Sequence, residues 1–118
     1  MRAKDVLGRL GEDAAVGHLA GLGWMIIDRN WRCLEGELDI VAHDGSDLVV
    51  CEVKTRSSAA YGTPIEAITP AKAARLRRLT SRWLAAQGIG PAPVRIDVLG
   101  LVRAGPGRFE IEHLKEVC

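Results

Sequence analysis

The sequence predicts an α/β fold: a mixed β-sheet flanked by helices, made of a three-stranded antiparallel meander, a crossover helix and further strands. Three observations predict it. Residues 36–56 alternate between apolar and polar on both sides of the turn Asp44-Gly45-Ser46-Asp47, as a β-hairpin does. Residues 4–22 and 70–87 instead carry apolar side chains at helical spacing. The resulting order is helix, three strands, helix, two strands, so the second helix returns the chain parallel to the strand that holds Glu52.

A chain of 118 residues fits one domain, residues 1–118, with a core that needs no disulfide or structural metal. The net charge of +1 means that any basic surface must come from local clustering. Cys33, Cys51 and Cys118 are widely spaced and form no CxxC or Cys/His pattern, which argues against a disulfide framework or zinc site and for a cytoplasmic protein with reduced thiols. No apolar run reaches the ~18 residues of a membrane span.

In the first helix, Leu7, Gly11, Ala14, His18 and Leu22 share a stripe that Leu10 and Ala15 widen. Gly8, Gly11, Gly17 and Gly21 each cost about 1 kcal/mol relative to Ala, so packing must stabilise it. Gly23 ends it. Glu12 lies about 100° from the stripe's centre, where the pattern alone fits a solvated side chain. His18 reads as a satisfied core histidine. Residues 24–32 form the next strand. In it Trp31 suits packing better than base stacking, and Arg29 and Arg32 suit phosphate contact and solvent equally.

In the hairpin, a tip at Gly45-Ser46 sets Val41 opposite Val50, Asp39 opposite Glu52 and Glu37 opposite Lys54, with Leu38, Ile40, Ala42, Val49, Cys51 and Val53 on the other face. Directly opposed carboxylates about 5 Å apart repel by roughly 3 kcal/mol at an effective dielectric near 20. A favourable cross-strand pair contributes only about 0.2–1 kcal/mol. Something cationic must therefore sit between Asp39 and Glu52: Lys54, or a divalent metal, for which oxygen donors favour Mg²⁺ or Mn²⁺. A structural ion-pair cluster is the competing reading. His43, opposed by Leu48, reads as structural.

Residues 57–63 form a small-residue loop, either a substrate flap or an ordinary connection. Thr69 caps and Pro70 opens the second helix, whose core face is Leu76, Leu79 and Trp83. Lys72, Arg75, Arg78 and Arg82 make it basic, a polyanion-binding face or a solvated one. Residues 94–102 alternate as a strand in which Arg95 and Asp97 share a face, and Phe109, Ile111 and His113 mark a final edge strand before a frayed tail.

An acid, a spacer and Glu-X-Lys, here Asp39 and Glu52-Val53-Lys54, resemble the PD-(D/E)XK nuclease superfamily. Gly8-Arg9-Leu10-Gly11-Glu12, Asn30-Trp31-Arg32, Gly36-Glu37-Leu38-Asp39, Glu52-Val53-Lys54-Thr55-Arg56 and Gly62-Thr63-Pro64-Ile65-Glu66-Ala67 follow the order of the YraN-like family, small bacterial proteins described as endonucleases. The resemblance implies a restriction-endonuclease-like core and metal-dependent hydrolysis of DNA phosphodiester bonds. It implies Asp39, Glu52 and the Val53 backbone carbonyl as ligands of Mg²⁺ or Mn²⁺, and Glu12 beside them. Lys54 would assist the attacking water, with Glu37 as its tuner, a second-metal ligand or only its ion-pair partner. Arg56, Lys72, Arg75, Arg78 and Arg82 would contact nucleic acid. A non-catalytic nucleic-acid-binding module that keeps the core is the alternative. The small size implies a homodimer or a protein partner to supply target choice.

Overall fold

The computed structural model describes residues 3–58 and 68–118, with side chains from residue 6 onward. Apart from Ser57 and Ser58, the expected flap loop lies outside the described residues, as does the Gly62-Thr63-Pro64-Ile65-Glu66-Ala67 motif. The elements are α1 (Ala3–Gly21), β1 (Met25–Cys33), β2 (Gly36–His43), β3 (Leu48–Arg56), α2 (Pro70–Ala86), β4 (Val94–Gly105) and β5 (Arg108–Leu114). The strands form one sheet in the order β1-β2-β3-β4-β5. β1, β2 and β3 are the expected antiparallel meander, β4 runs parallel to β3, and β5 returns antiparallel along the edge.

The hairpin register is set at its turn. Asp44 Oδ1 accepts the Ser46 and Asp47 N–H groups at 2.8 and 2.7 Å, and Gly45 takes the positive φ of 101° that the turn needs. Val41 then pairs with Val50 and Ile40 with Cys51, as expected.

Each face of the sheet buries its own cluster. Ala15 and Leu19 of α1 pack on Ile40, Ala42, Val49, Cys51, Leu99 and Leu101. Leu76, Leu79, Trp83 and Leu84 of α2 pack on Leu38, Val41, Val50 and Ile96. Thr69 caps α2 by accepting the Lys72 N–H at 3.1 Å. α1 is rotated from the expected stripe: Gly11, Ala15 and Leu19 are buried, whereas Leu10 and Leu22 are 46% and 53% exposed. The reason is the close approach at Gly11. A Cβ there would stand 2.2 Å from Thr55 Oγ1, so α1 rests its bare backbone on β3.

Leu38 departs from the expected alternation. It lies in the α2 cluster, although Ile40 and Ala42 lie in the α1 cluster. The break has a counterpart on β1, where Asn30 is left-handed at φ 52°. Asn30 and Asp39 fall between the pairs Arg29–Ile40 and Trp31–Leu38. Both strands therefore lose their period of two at one level.

Two further expectations are corrected. Nε2 of His18 is buried with no hydrogen-bond partner among the described residues, and its ring meets His113 edge-on at 5.6 Å. Burial, then the neighbouring His113, lowers the pKa of His18. The C-terminal tail is tied down: Glu116 N–H donates to Asp97 Oδ1 at 3.1 Å and Val117 N–H to the Ile96 carbonyl at 2.9 Å. Arg95 and Asp97, expected on one face, pair with Nε to Oδ1 at 2.9 Å, and His113 Nε2 adds a contact to the buried Asp97 at 2.8 Å.

Candidate functional site

The site lies at the end of the sheet where β2 begins and β3 finishes. The β2–β3 ladder stops at Ile40–Cys51. Beyond it, Asp39 turns its carboxylate onto the backbone of β3, and Oδ2 accepts the Val53 N–H at 2.9 Å. Asp39 and Glu52 are thus near neighbours without being ladder partners. The ladder is replaced at this level by a side-chain bond, which corrects the simple opposed pair. The charges still act on each other. Burial pushes the Asp39 carboxyl up, Glu52 pushes it further, the Val53 N–H pulls it back, and Glu37 and Glu12 add to the rise, leaving it at about 7.

Glu52 is 8% exposed, and its charge is matched by two lysines. Oε1 lies 3.2 Å from Lys54 Nζ and 3.0 Å from Lys72 Nζ. Lys54 therefore pairs with Glu52 and not with Glu37, which instead takes Arg32 Nε at 3.0 Å. Lys72, in the first turn of α2, stands in this centre and not on a solvated basic face, because its Nζ reaches Glu52. Burial, then Lys72, lowers the pKa of Lys54. Burial also pulls on Lys72, but the charge of Glu52 and the hydrogen bond to it help to hold its pKa up.

Glu12 is brought to the same place by the close approach at Gly11. Its Oε1 accepts Asn30 Nδ2 at 2.7 Å and Arg29 Nη2 at 3.2 Å. Consecutive strand residues normally point to opposite faces. Left-handed Asn30 breaks that rule, which lets Arg29 and Asn30 both reach α1. In the sequence Asn30 stands out only within Asn30-Trp31-Arg32, and its one signal is that Asn tolerates this conformation. Glu12 thus belongs to a hydrogen-bonded cluster, which corrects the pattern-based expectation of a solvated glutamate.

Asp39 lines two clefts. The larger, about 860 Å³, also holds Arg9, Glu12, Asn30, Val53, Lys54 and Arg56. The smaller, about 240 Å³, also holds Glu52, Lys72 and Arg75. The basic residues differ in their acidic partners. Arg78 and Arg82 reach Glu35 at 3.9 and 2.7 Å, and Arg29 bridges Glu12 and Asp13. Arg9, Arg56 and Arg75 have no acidic partner among the described residues, and Arg56 is steadied by the Thr55 carbonyl at 3.2 Å. Arg9 was not singled out in the sequence; its position on the α1 rim depends on how the helix is rotated.

Among the described residues, no three side chains of His, Cys, Asp or Glu converge as a ready cation cage. No helix among them is long and apolar enough to cross a membrane.

The model of a family described as "Uncharacterised protein family UPF0102" matches residues 11–101, a span holding Glu12, Asp39, Glu52, Lys54 and Lys72. A UPF0102 protein of Frankia casuarinae is 56% identical over 115 residues, covering 98% of each chain. One of Frankia alni is 56% identical over 115 residues, covering 98% of this chain and 96% of its own. One of Nocardioides sp. is 51% identical over 114 residues, covering 97% and 92%. The chain belongs to the UPF0102 family.

Proposed function

We propose that this protein is a metal-dependent endonuclease of the YraN-like, PD-(D/E)XK type, hydrolysing phosphodiester bonds of DNA. The observation that carries the reading is the juxtaposition of Asp39 and Glu52 at the sheet end, where Asp39 is pushed up to about 7 by burial and by Glu52. A half-buried carboxylate with no cationic partner among the described residues, next to a second carboxylate, is an electrostatic deficit that a cation would relieve.

The donors fit Mg²⁺ or Mn²⁺. Asp39 and Glu52 offer oxygens only, and Val53, whose carbonyl the resemblance adds, lines the larger cleft with Asp39. Two carboxylates completed by water, a carbonyl and substrate phosphate are a usual arrangement for Mg²⁺, which seldom takes an all-protein cage. Such a cation would supply Lewis-acid stabilisation of the phosphoryl charge and a more acidic bound water.

The chain's own groups have separate tasks. Lys54, held on Glu52 at 3.2 Å, is set to orient the attacking water and offset developing charge. Glu12, fixed by Asn30 and Arg29, keeps an acidic wall beside Asp39. Arg9 and Arg56 on one side of Asp39, and Arg75 on the other, suit successive phosphates of a strand laid across the sheet end.

The test is cleavage of a plasmid and of synthetic duplexes with Mn²⁺ by wild type and Glu52→Gln. Loss of cleavage in a variant with an unchanged circular dichroism spectrum is expected. Equal cleavage by both would reject the site. One observation favours a second reading, a non-catalytic nucleic-acid-binding module: Glu52 is already neutralised by two lysines. That reading predicts binding without cleavage under any divalent ion.

A further inference from the structure

We propose that Lys72 is a positioning residue of this centre, whose ammonium occupies at Glu52 the electrostatic place that a divalent cation takes over when it binds. The inference rests on the nuclease reading and adds a residue role to it.

The geometry is asymmetric. Glu52 Oε1 has two ammonium groups, Lys72 at 3.0 Å and Lys54 at 3.2 Å. One positive charge suffices to neutralise one buried carboxylate. Asp39, its acidic neighbour, is in no ion pair among the described residues and takes only the Val53 N–H at 2.9 Å. Positive charge is thus in excess at Glu52 and lacking at Asp39.

The second ammonium is built in. Lys72 sits in the first turn of α2, its N–H fixed by Thr69 Oγ1 at 3.1 Å, while Leu76 and Leu79 of the same helix are buried. Its side chain is 19% exposed, so the ammonium is largely enclosed with Glu52. Lys54 comes from the same strand as Glu52; Lys72 comes from another element and opens onto the smaller cleft beside Arg75.

A cation shared by Asp39 and Glu52 must compete with the lysines for Glu52. Lys72 then has an anion to turn to, a phosphate oxygen of the ligand. Lys72 should therefore weaken binding of the cation alone and strengthen binding of a phosphodiester in the cation's presence.

The test is calorimetric titration of MnCl₂ into wild type, Lys72→Met and Lys72→Arg, with Arg108→Met as a control for net charge. Met keeps the unbranched stem and leaves the backbone cap intact; Lys72→Gln replaces it if the melting curve shows misfolding. Mn²⁺ affinity is expected to rise on the order of tenfold in Lys72→Met, and to stay near wild type in Lys72→Arg and in the control. Fluorescence anisotropy of a labelled oligonucleotide in Ca²⁺ should show weaker binding by Lys72→Met. Unchanged or weaker Mn²⁺ binding in Lys72→Met overturns the proposal and leaves the metal centre standing. Absence of Mn²⁺ binding in both wild type and Lys72→Met, with the oligonucleotide present as well as without it, overturns both.

Discussion

The Asp39 carboxylate accepts the Val53 N–H at 2.9 Å at the level where backbone pairing between β2 and β3 has stopped. One strand's side chain thus completes the other strand's backbone. The acid is held in a half-buried setting against Glu52, where its charge is costly. Its folded value of about 7 against an ordinary 3.8 has a definite sign. A raised carboxyl lends stability that is whole below about pH 4 and is lost as the pH climbs through 7.

Asp39→Asn should therefore gain stability over wild type as pH rises, measured in chelator. The amide oxygen can still accept the Val53 N–H, while the charge that repels Glu52 is gone. Thermal melts at pH 4, 6 and 8 should show the variant's advantage growing with pH. A constant offset across that range would contradict the account.

Gly11→Ala should destabilise the fold by about 1–3 kcal/mol, because its new methyl would press on Thr55 Oγ1 and Cγ2 at 2.2 and 2.6 Å. Thr55→Ala removes both of those atoms and leaves only Cβ at 2.9 Å, so the double variant should recover part of the loss. Urea denaturation of the four proteins gives the coupling directly.

Asn30 at φ 52° combines a strained backbone with a bond to Glu12. Asn30→Ala should cost about 1–2 kcal/mol in backbone strain, beyond the lost hydrogen bond. Asn30→Gly relieves the strain and loses only the bond, so it should be the more stable of the two. The reverse order in denaturation would mean that the left-handed conformation is not what this position requires.

Arginines with and without acidic partners should separate in a salt titration of oligonucleotide binding. Arg9→Ala/Arg56→Ala should lower the affinity and reduce the slope of log K against log salt by about 2. Arg78→Ala/Arg82→Ala, whose side chains are held by Glu35, should change the slope by less than half as much. A larger effect from the second pair would return the nucleic-acid face to α2.

The parts of the fold legible in the sequence were those that local rules determine. The turn at Asp44 fixed the β2–β3 register, Thr69 and Pro70 set the start of α2, and an intervening helix made β4 parallel to β3. The face of Leu38 was not legible, because the break that moves it is shared with Asn30 on another strand. Nor was the partner of Arg82, which lies 47 residues away at Glu35. The Glu52–Lys54 contact follows from strand spacing. The Glu52–Lys72 contact does not, since it depends on where α2 comes to rest over the sheet. His18 was not legible as a half-buried ring whose Nε2 has no hydrogen-bond partner among the described residues.

The central claim is that Asp39 and Glu52 together hold a divalent cation. Titration of Mn²⁺ into wild type and into Asp39→Asn/Glu52→Gln, each alone and with a DNA oligonucleotide, tests it most directly. Saturable binding to wild type that disappears in the double variant is the predicted result. Equal binding by both proteins, or none by wild type even with DNA present, would contradict it.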